Sequence, residues 1–134
     1  MIVVDTNLLV YLYVEGQRTR EAEAVLSRDP TWSAPLLWRS EFRNTLARLV
    51  RRRALALDDA LQIVHEAERT MTGREYSVVS ADVLQLSARS GCSAYDCEFV
   101  ALARDLALPL VTTDGGLLRA FPDIAIAPNA FATK

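Results

Sequence analysis

The sequence Ile-Val-Val-Asp-Thr-Asn at residues 2–7 places three β-branched apolar residues directly before three polar ones. An apolar run this short is typical of a buried strand, and Asp5 stands at its end. The sequence Pro-Leu-Val-Thr-Thr-Asp at residues 109–114 has the same form and predicts a strand at residues 108–112, with Asp114 at its end. Ligands bind outside the carboxyl ends of the strands in an open parallel sheet. We therefore expect both acids in one crevice.

Each of these acids also has a simpler interpretation. Asp5 can cap a helix that begins before Leu8, and Asp114 can be a turn residue before Gly115 and Gly116. Either interpretation alone explains its residue as well as a functional role does. Because two acids stand at equivalent strand ends, however, a shared role is more attractive than coincidence.

Short apolar runs and segments with helical spacing alternate along the rest of the chain. Strands are also predicted at residues 32–34, 76–79 and 124–126, and helices at 7–14, 18–27, 36–53, 58–71, 81–90 and 94–106. Strands that alternate with helices indicate an α/β fold with a mostly parallel sheet. The sequence has no internal repeat and no Gly-, Ser- or Pro-rich linker, so residues 1–134 are expected to form one domain. Four residues are expected at helix ends: Asp58 and Ser80 as N-caps, Gly91 as a stop, and Ser93 as the next start.

The composition fits a globular protein, since 51% of the 134 residues are hydrophobic and 24% are charged. The start of the chain shows no cleavable hydrophobic segment, and no apolar run approaches the roughly 20 residues that cross a bilayer. The cysteines, Cys92 and Cys97, match neither a disulfide framework nor a metal-binding spacing and are expected to be small buried residues. We therefore expect a soluble, cytoplasmic protein.

The charged residues exclude several classes of enzyme. Of the 15 basic residues, 14 are arginines and the only lysine is Lys134, while the formal net charge is −2. The lack of an internal lysine excludes P-loop nucleotide hydrolysis, Schiff-base chemistry and phosphoacceptor sites with a lysine partner. The one histidine, His65, lies in a predicted helix with no Ser or Cys motif around it. The sequence thus does not indicate a triad hydrolase or a His-rich zinc site.

Two further acids lie at unusual places on predicted helices. Glu41 falls within or beside the apolar stripe of the helix at 36–53, where a glutamate is costly unless it is paired or bound to a metal. Asp96 shares the face that its helix turns to the sheet, whereas Glu98 points elsewhere. The sequence Ser93-x-x-Asp96 also resembles a capping box, so Asp96 alone is explained as well by helix capping.

The chemistry of the four acids follows from electrostatics if Asp5, Glu41, Asp96 and Asp114 meet. Like charges in a partly desolvated cleft cannot all stay ionised without a counter-charge. Oxygen ligands without nearby His or Cys favour Mg²⁺ or Mn²⁺ over zinc. Such an ion binds phosphate oxygens and activates a water for attack, which is the chemistry of phosphodiester hydrolysis.

The helix that carries Glu41 also carries candidate contacts to a polyanion. Arg39 and Arg43 are one helical turn apart and are expected to face the same way, where they can hold an RNA backbone. The alternative is an ordinary solvated helix surface, and for residues 51–53 that interpretation is preferred. The two tryptophans, Trp32 and Trp38, are assigned to core or dimer packing.

With these residues taken together, the chain resembles the PIN-domain family, and in particular its small ribonuclease toxins of the VapC type. The resemblance covers nearly the whole chain and rests on four segments in order: Ile2-Val3-Val4-Asp5-Thr6-Asn7, Ser40-Glu41, Ala94-Tyr95-Asp96 with Phe99-Val100-Ala101-Leu102-Ala103, and Leu110-Val111-Thr112-Thr113-Asp114. It implies a three-layer α/β/α fold and a Mg²⁺- or Mn²⁺-dependent endoribonuclease.

The resemblance also implies roles for residues and partners. The metal cluster and catalytic site consist of Asp5, Glu41, Asp96 and Asp114, and Asn7 and Thr112 orient these carboxylates. The family further implies a homodimer and a cognate antitoxin that inserts a segment into or over the active-site groove. One departure is Gly115-Gly116, because relatives often carry charged residues after the last acid.

Two other functions are compatible with the same fold. A non-catalytic RNA-binding or scaffold module predicts no dependence on divalent ions, and the intact acids argue against it. A small-molecule phosphatase with an aspartyl nucleophile usually has a second acid two residues after the first, where this chain has Asn7.

Overall fold

Strand β1 (Ile2–Val4) lies at the centre of the sheet in the computed structural model, which describes residues 1–133. It pairs in parallel with β2 (Trp32–Pro35) on one side and with β4 (Leu110–Val111) on the other. The outer strands are β3 (Glu75–Tyr76) beside β2 and β5 (Ala125–Ile126) beside β4, again in parallel. The strand order β3-β2-β1-β4-β5 confirms the predicted parallel sheet.

Eight helices follow or connect these strands within the described residues. They are α1 (Thr6–Tyr13), α2 (Thr19–Arg28), α3 (Leu37–Arg51), α4 (Leu57–Met71), α5 (Ser80–Ser90), α6 (Ala94–Leu106), α7 (Gly115–Ala120) and α8 (Pro128–Ala132). Helix α6 packs on β1, β2 and β4 and carries α5 on its outer side, while α3 and α4 pack on β2. The chain therefore has the predicted α/β architecture, with helices on both faces of the sheet.

The register of β1 against β4 decides where the first acid lies. Val4 pairs with Val111, and the amide of Asp5 donates to the carbonyl oxygen of Val111 at 3.2 Å. Asp5 and Thr112 therefore leave the sheet side by side at its carboxyl edge.

The core is built around the central strand and the two tryptophans. Trp32 and Trp38 are 1% and 0% exposed, which confirms their assignment to the core, and the ring of Trp38 meets that of Phe42 edge-on at 5.4 Å. Cys97 is a buried free thiol as expected, and Cys92 is a half-buried one. None of the helices in residues 1–133 is long and apolar enough to cross a membrane.

The helix ends agree only in part with the sequence. Gly91 ends α5 in the left-handed conformation at φ 76°, and the hydroxyl oxygen of Ser93 caps α6, so both predictions are confirmed. The predicted caps Asp58 and Ser80 are wrong, because α4 and α5 each begin one residue earlier than their patterns indicate. Asp58 lies in the first turn of α4, where a negative charge stabilises the helix dipole without capping it.

The C-terminal part of the fold was the hardest to predict. Helices α7 and α8 have no predicted counterpart, since α7 begins with Gly115 and Gly116, and both helices are too short to show a helical period. Strand β4 is two residues long, which is shorter than the predicted strand at 108–112. Earlier in the chain, the predicted strand at 76–79 is wrong except at Tyr76, because β3 consists of Glu75 and Tyr76.

Candidate active site

A cavity of about 210 Å³ lies at the carboxyl edge of the sheet, where β1 and β4 end. It brings together the four predicted acids from four separate parts of the chain, and neutral residues complete its wall. The lining residues are Asp5, Thr6, Asn7, Glu41, Asn44, Thr45, Asp96, Phe99, Asp114 and Leu117.

Asp5 is the most buried of the acids, with 7% of its surface exposed. Its Oδ1 accepts the amide of Leu8 at 2.9 Å, so it caps α1 as the simpler interpretation expects. Its Oδ2 accepts the hydroxyl of Thr112 at 2.6 Å and the amide of Thr113 at 3.2 Å. Burial raises the pKa of Asp5 above its ordinary value, these hydrogen bonds oppose that rise, and the charge of Asp114 adds to it.

Glu41 lies half-buried on α3 and is held by a residue that the sequence did not single out. The hydroxyl of Thr6 donates to its Oε1 at 2.7 Å. Burial is the main cause that raises the pKa of Glu41, and the negative charges of Asp96, Asp5 and Glu98 raise it further, while Thr6 lowers it. Glu98 does not line the cavity, but it acts on Glu41 through its charge.

Asp96 lies in the first turn of α6, where its amide donates to the hydroxyl oxygen of Ser93 at 3.0 Å. Its side chain also lines the cavity, so the helix cap and the cavity share the same turn. Burial raises the pKa of Asp96, the charge of Asp114 raises it further, and the Ser93 side chain lowers it. Capping and a role in the cavity are thus compatible.

Asp114 caps α7 through its Oδ1, which accepts the amide of Leu117 at 2.8 Å. A Cβ atom on Gly116 would lie 3.1 Å from that oxygen, so the glycine leaves room for the carboxylate. The amide of Asp114 donates to the hydroxyl oxygen of Thr112 at 3.0 Å, and the same hydroxyl donates to Asp5. One threonine therefore fixes two of the acids relative to each other.

The neutral residues of the wall were found only in part from the sequence. Asn7 lines the cavity, whereas Thr112 is not a lining residue and instead donates its hydroxyl to Asp5. Asn44 and Thr45 also line the cavity, and the sequence analysis missed them. Their spacing was the available signal, because residues three and four positions after Glu41 share its side of a helix.

The arginines predicted to bind RNA, Arg39 and Arg43, do not line the cavity. The Nε of Arg39 contacts Glu75 at 2.5 Å, and its Nη1 lies 3.3 Å from Glu68. The Nη2 of Arg43 lies 3.5 Å from Glu68, and the indole N–H of Trp38 donates to Glu75 at 2.7 Å. We call Arg39, Arg43, Glu68 and Glu75 the paired-charge network. Contact with RNA at these arginines stays a prediction, and their ion pairs across to α4 and β3 argue against it.

The cavity has negative charge without a cationic partner, since its lining residues include four acids and no Arg, Lys or His. Within residues 1–133, no three His, Cys, Asp or Glu side chains form a group that could hold a metal ion as they stand. The carboxylates nevertheless offer only oxygen atoms as ligands. The charge of Asp114 raises the pKa values of Asp5 and Asp96, and the charges of Asp96 and Asp5 raise the pKa of Glu41. These features fit a Mg²⁺-like ion, which usually takes one or two carboxylates and keeps several waters.

Comparisons with known proteins show similarity to one protein family. The family model for the PIN domain matches residues 2–122. Ribonuclease VapC3 of Pyrobaculum aerophilum is 31% identical over 124 residues, which are 90% of this chain and 95% of the relative.

Solved structures show the same fold at lower identity. PAE2754 from Pyrobaculum aerophilum superposes with a TM-score of 0.78 and 19% identity, covering 98% of this chain and 93% of the other. A toxin-antitoxin complex from Klebsiella pneumoniae gives 0.71 and 18%, with 96% and 98% covered. FitAcB from Neisseria gonorrhoeae gives 0.73 and 20%, again with 96% and 98% covered.

Proposed function

The chain belongs to the PIN-domain family, and on that premise we propose that it is a Mg²⁺- or Mn²⁺-dependent endoribonuclease that acts as a toxin. One observation carries the proposal: acids from four separate elements line a single cavity that has no cationic side chain in its wall. The name of the relative Ribonuclease VapC3, at 31% identity, supports RNA as the substrate.

Asp5, Glu41, Asp96 and Asp114 are proposed to hold the cation as well as to form the catalytic site. A divalent cation bound there would supply positive charge to phosphate oxygens and would lower the pKa of an attacking water. Asp5 is the best oriented of the four, because two amides and one hydroxyl fix both of its oxygens. Such fixed outer contacts are typical of ligands that must keep their geometry.

The neutral wall has two further tasks in this mechanism. The side-chain amides of Asn7 and Asn44 can donate hydrogen bonds to the oxygens of an RNA backbone, which the acids alone would repel. Phe99 and Leu117 supply an apolar side to the cavity, which restricts water and strengthens the electrostatic interactions inside.

A cognate antitoxin and a second copy of the chain are the proposed protein partners. The toxin-antitoxin complex from Klebsiella pneumoniae has the same fold, which supports the antitoxin. Co-purification with the product of a neighbouring short reading frame, together with inhibition of cleavage by that product, tests the antitoxin. The mass of the purified protein in solution tests the homodimer.

The decisive experiment assays RNA and a chromogenic phosphomonoester side by side, each with Mg²⁺ and with chelator. Cleavage of RNA with Mg²⁺ alone is the expected result. Turnover of the phosphomonoester alone would favour the phosphatase, and RNA binding without cleavage would favour a non-catalytic module.

Asp5→Asn and Asp96→Asn, checked for folding by circular dichroism, should abolish RNA cleavage and growth arrest. Both substitutions keep the shape of the side chain and remove its charge, so they test the carboxylates rather than the packing. Full activity in either variant would contradict the assignment of the site.

A further inference from the structure

The side chain of Arg119 lies along α7 toward the N-terminus of that helix. Side chains in a helix lean toward its N-terminus, so residue 119 lies above residue 115 on the same face. A Cβ atom on Gly115 would lie 3.0 Å from Nη1 and 3.8 Å from Cζ of Arg119. The guanidinium therefore occupies the space that a side chain at 115 would take, and the residue before Gly115, Asp114, lines the cavity.

The guanidinium of Arg119 has no close partner within residues 1–133. No carboxylate lies within 4.0 Å of it, and none of the guanidinium N–H groups donates to a protein acceptor. Arg39 and Arg43 differ in this respect, since both contact carboxylates. Arg119 is exposed to solvent, so its donors are available to a ligand.

We propose that Arg119 is a substrate-binding residue whose guanidinium holds a phosphate of the RNA backbone at the rim of the cavity. This inference rests on the proposed ribonuclease function. A planar guanidinium matches phosphate geometry with two parallel hydrogen bonds. Because the cavity wall contains no cation, a backbone phosphate next to the reacting one needs a positive group at the edge, and Arg119 provides it.

The test compares Arg119→Ala and Arg119→Lys with Arg20→Ala. Arg20 is a matched control, because it is an exposed arginine on α2 outside the cavity wall. With a single-stranded RNA and saturating Mg²⁺, Arg119→Ala should raise KM about tenfold and leave kcat unchanged, as expected for a lost charged hydrogen bond. Arg119→Lys keeps the charge but loses the paired hydrogen bonds, so its KM should lie between the KM of the wild type and that of Arg119→Ala.

Salt dependence gives a second measurement that a purely structural role would not change. In the cleavage-deficient Asp5→Asn background, Arg119→Ala should reduce the slope of log K against log salt by about 0.7, the value for one contact to a single strand. Arg20→Ala should leave that slope unchanged.

Two results would overturn the proposal: a KM and salt slope for Arg119→Ala equal to those of Arg20→Ala, or a loss confined to kcat. A wild-type protein that neither binds nor cleaves RNA would instead refute the proposed function itself. The two failures are therefore distinguishable in the same set of assays.

Discussion

Helix α3 carries charged residues toward two different surroundings. Glu41 faces a cavity with three other acids, whereas Arg39 and Arg43 face the acids of α4 and β3. Burial and like charges raise the pKa of Glu41, while Arg39 holds the pKa of Glu75 below its ordinary value. The paired-charge network thus stabilises the folded state, whereas the like charges in the cavity destabilise it. Unpaired charge of this kind is typical of a functional site.

The largest effect on activity expected outside the four acids concerns the Thr112 hydroxyl, which contacts both Asp5 and Asp114. Thr112→Val removes the donor to Asp5 and the acceptor of the Asp114 amide, so RNA cleavage should fall about 10- to 100-fold. Thr112→Ser keeps the hydroxyl and serves as the control, with activity near that of the wild type. Equal kcat values for the valine and serine variants would show that this contact is not needed.

The next effect belongs to the paired-charge network and should appear in stability rather than activity. Glu75→Gln keeps the side-chain shape but removes the charge that Arg39 and Trp38 contact, so urea unfolding should show a loss of about 1–2 kcal/mol. Cleavage of RNA should be unchanged, because Glu75 does not line the cavity. A variant as stable as the wild type at neutral pH would contradict this assignment.

The same pair predicts a pH dependence with a definite sign. Because the pKa of Glu75 is lowered in the folded state, its ionic contribution to stability is fully present above the ordinary pKa of an unfolded glutamate. That contribution is lost as the pH falls through the lower folded value. The stability difference between the wild type and Glu75→Gln should therefore shrink below about pH 4.

In the cavity, removing a charge is expected to have a smaller effect on stability, and that effect should be an increase. Without divalent ions, Asp96→Asn should raise the free energy of unfolding by about 0.5 kcal/mol, since it removes a screened repulsion from Asp114. Added Mg²⁺ should raise the Tm of the wild type and have less effect on the variant. The control is Asp105→Asn, an exposed acid on the same helix. A loss of stability in Asp96→Asn would contradict the repulsion.

The smallest effect is expected at the edge of the network. Arg43 is 56% exposed and lies 3.5 Å from Glu68, so Arg43→Ala should cost less than about 0.5 kcal/mol. Its KM for RNA should equal that of the wild type, because the ion pair turns the guanidinium toward α4. A raised KM would instead support the RNA contact that the sequence suggested.

Local signals in the sequence were sufficient to find the acids. Asp5 and Asp114 follow short apolar runs, and parallel strands place their carboxyl ends at one edge. Glu41 and Asp96 stood out because each lies on the buried side of a helix. The sequence alone does not establish that these four side chains line one cavity. A helical period shows which residues share a face of the helix, but not which part of the fold that face contacts.

The parts that the sequence could not predict depend on distant residues. The sequence is compatible with Arg39 as a substrate contact or as a solvated side chain, because its actual partner, Glu75, is 36 residues away and belongs to a strand of two residues. Glu98 was expected to point elsewhere, yet its charge raises the pKa of Glu41 on another helix. The sequence also does not predict the role of Gly115, because only the folded structure shows that the Arg119 guanidinium occupies the space where a side chain at 115 would lie.

The distance along the chain between Asp5 and Thr112 has a consequence for protein synthesis. Their hydrogen bond spans 107 residues, and the central strand acquires its neighbour β4 only when that late segment emerges from the ribosome. At typical translation rates the interval is about 5 to 20 s. During that time a nascent chain carries its first carboxylate without the partners that orient it, so the proposed active site can form only after nearly the whole chain has been synthesised.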